Sequence, residues 1–199
     1  MSKGAETRLS RPHSPGTRHP LCRAVFLDRD GVINRSEVRN GKSYAPRRVE
    51  DFRLLPGAVQ AIRDLKSWGL LVIVVTNQPD IGNGLVDATV VEAMHERLRE
   101  VSPIDDIWVC PHRQDAGCRC RKPEPGMLLE AARKWGIDLR KSFMVGDRPG
   151  DIVAGHRADC YTIFVDRRYR EPLQIEPDNR AKSLPAAVHL IGTLLRTGS

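Results

Sequence analysis

The chain has 199 residues, 40% of them hydrophobic, enough for one self-supporting core that needs no disulfide staples. Lys and Arg number 32 against 25 Asp and Glu, and the net charge of +7 suits polyanions and small phosphorylated molecules alike, so it excludes neither. No apolar run is long enough for a membrane span or a signal peptide, so a soluble cytoplasmic protein is expected, in which five cysteines read as metal ligands before disulfides.

Residues 1–22 are expected to form a basic disordered tail, because Lys3, Arg8, Arg11 and Arg18 stand among Ser, Pro, His and Gly without apolar periodicity; the folded domain is expected over 23–199. Ala24 to Leu27 reads as a buried strand that ends in Asp28-Arg29-Asp30-Gly31. In extended backbone residues i and i+2 share a side, so Asp28 and Asp30 face one pocket while Arg29 turns away. Two carboxylates crowded there hold a cation or leave one protonated, although Asp and Gly are also ordinary turn residues. Residues 35–52 read as a polar loop with an Asn40-Gly41 turn. Pro56-Gly57 opens a helix carrying Val59, Ile62, Leu65 and Trp68, which Gly69 closes.

Leu70 to Val75 is an unbroken apolar run, the pattern of a strand covered on both faces, and it ends in Thr76-Asn77-Gln78. A loop with Gly82 and Gly84 follows, then a helix capped by Asp87 that carries Val91, Met94 and Leu98, with His95 expected at the surface. Ile107 to Val109 reads as a strand, Gly126 to Trp135 as a helix stopped by Gly136, and Phe143 to Val145 as a strand ending in Gly146-Asp147. A helix over Asp151 to Ala158, a strand over Tyr161 to Val165 and a helix over Leu184 to Leu195 complete the order. The fold class is therefore α/β, a Rossmann-like parallel sheet with helices on both faces. Ligands in such sheets bind beyond the carboxyl ends of the strands, which would gather Asp28, Asp30, Thr76, Asn77 and Asp147 at one rim.

Thr76 and Asn77 offer a hydroxyl, an amide and backbone N–H groups to phosphate oxygens; Arg121-Lys122-Pro123 offers two cations ahead of a helix. Either group could also be a plain strand end or a solvated basic pair. Asp151 could supply a further carboxylate for Mg²⁺ or cap its own helix. Cys110, His112, Cys118 and Cys120 have the spacing C-x-H-x5-C-x-C, a closed tetrahedral set for a structural Zn²⁺ that pins a loop poor in apolar residues. Cys22 and Cys160 read as ordinary small residues at strand edges.

FLDRDGVIN, VVTNQ, CRKPEPGM and MVGD, in that order across residues 24–165, resemble the four motifs of the haloacid dehalogenase-like phosphatases. The cysteine loop narrows the resemblance to the branch acting on sugar bisphosphates and on histidinol phosphate, and YAPRRVEDFRLLPGA looks more like the sugar-bisphosphate side. The resemblance implies an aspartyl-phosphate on Asp28, acid and base roles for Asp30, phosphoryl binding by Thr76 and Lys122, and Mg²⁺ held by Asp28, Asp147 and the Asp30 carbonyl. Substrate contacts are expected from Arg29, Tyr44, Asn77, Gln78 and Arg121. No large cap domain fits between the motifs, so the cysteine loop and residues 35–46 would wall an open site. The expected activity is phosphoric monoester hydrolysis, removing the C7 phosphate of a heptose 1,7-bisphosphate on the way to nucleotide-activated heptose. Histidinol phosphate is the alternative substrate. A nucleic-acid-binding protein acting on DNA 3′-phosphate ends is the alternative from another class, and the enzyme reading is preferred to it; a monomer is expected. Pro79, Asp80 and Arg148 depart from the family pattern around the catalytic set, Asp80 by adding negative charge near an anionic substrate.

Overall fold

The computed structural model describes residues 21–197. Most of the expected basic tail lies outside the described residues.

In chain order the elements are β1 Ala24–Leu27, β2 Glu37–Arg39, β3 Lys42–Tyr44, α1 Ala58–Ser67, β4 Leu71–Asn77, α2 Pro79–Gly82, α3 Ala88–Val101 and β5 Asp106–Cys110. They continue as α4 Gly126–Trp135, β6 Phe143–Gly146, α5 Pro149–Arg157, β7 Tyr161–Val165, β8 Asn179–Ala181 and α6 Leu184–Thr197. Six strands form one parallel sheet in the order β5-β4-β1-β6-β7-β8. The chain builds outward from β1 on one side and then returns to build on the other. The strand order therefore reverses beside β1, where sheets of this kind open a crevice.

Alternation along β1 divides the core. Val25 and Leu27 join Val72, Val74 and Val145 under α1, α3 and α6, whose Ile62, Leu65, Met94, Leu98, Leu184 and Ile191 are buried. Ala24 and Phe26 join Ile73, Val75 and Met144 on the opposite face, under Met127, Leu128 and Ala131 of α4 and Ala154 of α5. All four β1 residues are buried, as a central strand covered on both faces requires.

Four elements, β2, β3, α2 and β8, differ from the sequence expectation. The expected loop over 35–52 contains the antiparallel hairpin β2–β3, because Asn40 and Gly41 both take positive φ, 53° and 77°, the geometry of a tight two-residue hairpin turn. A short helix, α2, replaces the start of the Gly82 loop, with Pro79 supplying a preset φ at its first turn. The sheet also gains an edge strand, β8, paired to β7. Among the described residues no helix is long and apolar enough to cross a membrane.

Candidate active site

Asp28 sits just beyond the end of β1, 7% exposed, its amide donating to the Val145 carbonyl of the neighbouring strand at 2.9 Å. Its Oδ1 accepts from Lys122 Nζ at 2.6 Å. That ammonium also donates to the Val75 carbonyl at 2.7 Å and pairs with Asp151 Oδ1 at 2.6 Å, so all three of its protons are used. Asn77 holds the Lys122 segment in place: its amide nitrogen donates to the Lys122 carbonyl at 2.9 Å and its oxygen accepts from the Lys122 amide at 3.1 Å. Asp151 both pairs with Lys122 and caps α5, its Oδ2 accepting from the Arg148 amide at 2.9 Å. Asp151 thus fills the cap role expected of it and adds an ion pair to Lys122 that was not expected.

Asp147, at the end of β6, is 1% exposed, and among the described residues neither of its carboxylate oxygens has a hydrogen-bond partner. Carboxylate oxygens of Asp28, Asp147 and Asp151 lie within 4.8 Å of one another. Three buried carboxylates face one ammonium, and the protonation equilibria record the imbalance. Burial pushes Asp28 up to about 7 against the pull of Lys122, with Asp151 and Asp30 adding to the rise. Burial and then Asp28 and Asp151 hold Asp147 well above the usual carboxylate range. For Lys122, burial opposes the charge, yet Asp151 and Asp28 raise its affinity for the proton. An orphaned carboxylate beside two others is a fit for a hard divalent cation with oxygen ligands. Gly31 makes room for this cluster: it has φ of 93°, and a Cβ there would overlap the Asp147 carboxylate.

Asp30 is gripped from several directions. Asn34 Nδ2 donates to it at 2.9 Å and Gln78 Nε2 at 2.7 Å, and the Arg29 guanidinium reaches both oxygens at 3.1 to 3.3 Å. Gln78 also donates to Thr76 Oγ1 at 2.9 Å, which leaves the Thr76 hydroxyl hydrogen for another acceptor. Asp28, Asp30, Tyr44, Asn77, Gln78, Arg121 and Lys122 all line one cavity of about 690 Å³. Arg121 Nη1 is buried there and, among the described residues, has no hydrogen-bond partner. The hairpin contributes Lys42, Ser43 and Tyr44 to the wall, and the cysteine loop contributes Gln114.

The expectation for Arg29 needs correction: it is fully buried, does not line the cavity, and contacts Asp30, His95 and the Phe52 ring instead. His95 is likewise 1% exposed rather than at the surface, because it shares the apolar stripe of α3. Asn77 and Gln78 line the cavity with side chains committed to Lys122, Asp30 and Thr76. Sequence reading missed Asn34: the Gly31 turn folds it back against Asp30 through a backbone bridge and the amide contact, a proximity that residue types alone do not signal. It also missed Tyr169, which bonds Ser36 at 2.8 Å and is pushed up to about 12 by burial and by the neighbouring Asp147 charge.

The departures from the family pattern find partners. Asp80 accepts from Arg47 Nε at 2.7 Å. Arg148 clasps both oxygens of Glu171 at 2.8 Å and donates to the Ser43 carbonyl at 3.2 Å, which ties β3 to the 171 segment.

Cys110 is buried at the end of β5, and its Sγ lies 3.6 Å from both His112 Nδ1 and Cys118 Sγ. Cys120 Sγ is 3.2 Å from His112 Nδ1 and 3.5 Å from Cys118 Sγ. A tetrahedral ion with bonds of about 2.3 Å separates its sulfurs by roughly 3.8 Å, so the four atoms already approximate the ligand set of zinc. Backbone contacts tie the loop to the site: Gln78 donates to the Cys110 carbonyl at 2.8 Å and Gly82 to the Pro111 carbonyl at 2.9 Å.

The family model described as "HAD-hyrolase-like" matches residues 119–187. The chain belongs to the haloacid dehalogenase-like hydrolases, in a group of relatives that carry phosphatase names. It is 40% identical over 146 residues to the D-glycero-beta-D-manno-heptose-1,7-bisphosphate 7-phosphatase of Pseudomonas aeruginosa, covering 71% of this chain and 79% of that one. To the D-glycero-alpha-D-manno-heptose-1,7-bisphosphate 7-phosphatase of Mycobacterium bovis it is 39% identical over 144 residues, 69% of this chain and 73% of that one. The crystal structure of D,D-heptose 1,7-bisphosphate phosphatase from B. bronchiseptica, complexed with magnesium and phosphate, superposes with a TM-score of 0.75 at 31% identity, covering 88% of this chain and 99% of that one.

Proposed function

We propose that this chain hydrolyses the C7 phosphate of a D-glycero-D-manno-heptose 1,7-bisphosphate, feeding nucleotide-activated heptose synthesis. The observation that carries the reading is the buried cluster of Asp28, Lys122, Asp151 and the unpartnered Asp147 beneath a cavity with Arg121 on its wall. The names of the relatives supply the sugar.

Asp28 attacks phosphorus as its carboxylate, the bond from phosphorus to the C7 oxygen breaks, and Asp30 gives that oxygen its proton. Asp30, now a carboxylate, takes a proton from water, whose oxygen attacks the aspartyl-phosphate and frees Asp28 with release of inorganic phosphate. Thr76 offers its free hydroxyl hydrogen to an equatorial phosphoryl oxygen, and Lys122 neutralises phosphoryl charge, exchanging its bond to Asp28 Oδ1 for one to a phosphoryl oxygen as Asp28 attacks. Mg²⁺, held by Asp28, Asp147 and the Asp30 carbonyl, would neutralise the phosphoryl charge and restore Asp28 to its ionised form. Arg121 reaches the sugar phosphate from the wall. Cys110, His112, Cys118 and Cys120 hold a structural Zn²⁺ that fixes the loop carrying Gln114 and leading into Arg121. The active protein is soluble and works as a monomer.

Phosphate release with Mg²⁺ is the test, measured on both anomers of the heptose bisphosphate beside histidinol phosphate and fructose 1,6-bisphosphate. The expected result is a kcat/KM for one heptose anomer at least tenfold above every other substrate. A preference for histidinol phosphate would overturn the sugar while leaving the mechanism in place.

A further inference from the structure

Behind Asp30, on the side of the sheet covered by α3, the reaction as described leaves a buried histidine unused. His95 Nε2 lies 2.9 Å from Arg29 Nη1, and the same guanidinium grips both oxygens of Asp30 at 3.1 to 3.3 Å through Nε and Nη2. A guanidinium can only donate, so Nε2 must accept. The neutral ring then carries its hydrogen on Nδ1, which faces Glu92 Oε2 at 3.3 Å, and Glu92 Oε1 accepts from Arg99 Nη1 at 2.6 Å. Arg29 and His95 are 0% and 1% exposed, so water cannot replace either bond. Phe52 covers the guanidinium, 5.6 Å from its ring centroid. The chain Arg99, Glu92, His95, Arg29, Asp30 thus runs from the solvent face of α3 to the carboxyl that moves the proton.

We propose that His95 is a positioning residue for Asp30, locking the Arg29 fork so that the carboxyl stays aimed at the leaving oxygen and then at the attacking water. This rests on the acid and base roles given to Asp30 above. Two features make the device work at neutral pH. Burial and the Arg29 charge hold the imidazole down at about 4 against the pull of Glu92, so the ring remains an acceptor. Without that acceptor, Nη1 becomes a buried donor with no partner, and the guanidinium gains by turning toward another oxygen and releasing Asp30.

The test uses full-length protein with Mg²⁺ and two kinds of ester: a sugar phosphate, whose alkoxide must be protonated to leave, and p-nitrophenyl phosphate, whose phenolate leaves unaided. His95→Leu is expected to lower kcat on the sugar phosphate about tenfold, with KM within about twofold; Asp30→Asn is the reference for full loss of the acid, roughly 10²- to 10⁴-fold. On the aryl ester the variant should show a burst of nitrophenolate, because phosphorylation of Asp28 is spared while its hydrolysis is slowed. His95→Gln, whose amide oxygen can reach the Nε2 position, should recover to within about threefold. His95→Asn places its amide nearer Nδ1 and should repeat the loss, which keeps the comparison if leucine does not fold. Wild-type kinetics on both esters in the leucine and asparagine variants would overturn the proposal, as would equal losses in all three variants without a burst. Cleavage of fructose 1,6-bisphosphate but not of either heptose anomer would overturn the sugar reading alone, and the His95 comparison is then made on the fructose ester.

Discussion

Two clusters of metal-ligating groups stand at the carboxyl end of the same sheet, and they are built in opposite ways. Cys110, His112, Cys118 and Cys120 come from one short loop, with only Cys110 buried. Asp28, Asp147 and Asp151 come from the ends of β1 and β6 and the first turn of α5, all buried, with Lys122 reaching Asp28 across 94 residues of sequence. The thiol cluster is local and organises a loop with little apolar content; the carboxylate cluster exists only once the whole sheet is assembled. A closed tetrahedral set leaves no position for a reactant. The buried carboxylates outnumber the one ammonium that faces them, an excess that a divalent cation would balance.

The largest expected effect breaks the carboxylate side. Asp28→Asn should lower kcat by roughly 10⁴- to 10⁶-fold, the scale of loss when a member of a catalytic set, the nucleophile above all, is removed. Its thermal midpoint without metal should hold or rise, because one of three mutually repelling carboxylates is gone while Lys122 keeps Asp151. Phosphate release and a melting curve on the same preparation check both halves; retained turnover would mean another group attacks phosphorus.

The thiol side should fail differently. Purified protein is expected to hold about one Zn²⁺ per chain, and Cys118→Ser should lower that content and open residues 111–125 to protease. Gln114 and Arg121 line the cavity from this loop or its end, so KM should rise more than kcat falls. A zinc-free protein with unchanged KM and protease resistance would remove the structural role.

A third test separates the clusters from the packing beneath them. His95 titrates at about 4 in the folded protein, below the ordinary histidine value of 6.5. Between those two values the unfolded chain binds the extra proton, so folding stability rises with pH across that window and is lost as pH falls through it. From pH 7.5 down to pH 5 this costs about 2 kcal/mol by that linkage. His95→Gln cannot titrate, so denaturant melts at both pH values should show the gap between variant and wild type shifting by about that amount in the variant's favour at pH 5. A gap independent of pH would mean the ring titrates normally.

His95 also marks the limit of what could be read from sequence. Val91, Met94, His95 and Leu98 follow the helical spacing of a buried stripe, so burial was legible; the polar identity of the residue argued the other way. The central strands were readable because an unbroken apolar run with a polar end has few other uses in a parallel sheet. β2 and β3 are exposed or half-exposed, with no alternation for the eye, and only the Asn40-Gly41 turn announced them. β8 has a single buried residue, Ala181, and exists because β7 offers it an edge. In the site, residue types and strand ends pointed to Asp28, Asp30 and Asp147. The internal commitments of Asn77, Gln78 and Arg29 depend on distances between segments and had no sequence signal.

The smallest effect lies at the cavity mouth, where Asp80 would repel an anionic substrate if left alone. Arg47 pairs with it at 2.7 Å, with side chains 41% and 17% exposed, so the pair is open to solvent and to salt. Arg47→Ala should therefore raise KM for the sugar phosphate by about threefold at low ionic strength, within the range of exposed pairs, and leave kcat unchanged. Asp80→Asn alone should leave KM level or slightly lower, and the double variant should match Asp80→Asn, because the arginine acts only by cancelling the aspartate. Raising the salt should shrink the Arg47→Ala effect toward nothing. A KM increase that persisted in the double variant would show that Arg47 meets the substrate itself, and the mouth of the cavity would then hold a second cation for the phosphate that is not cleaved.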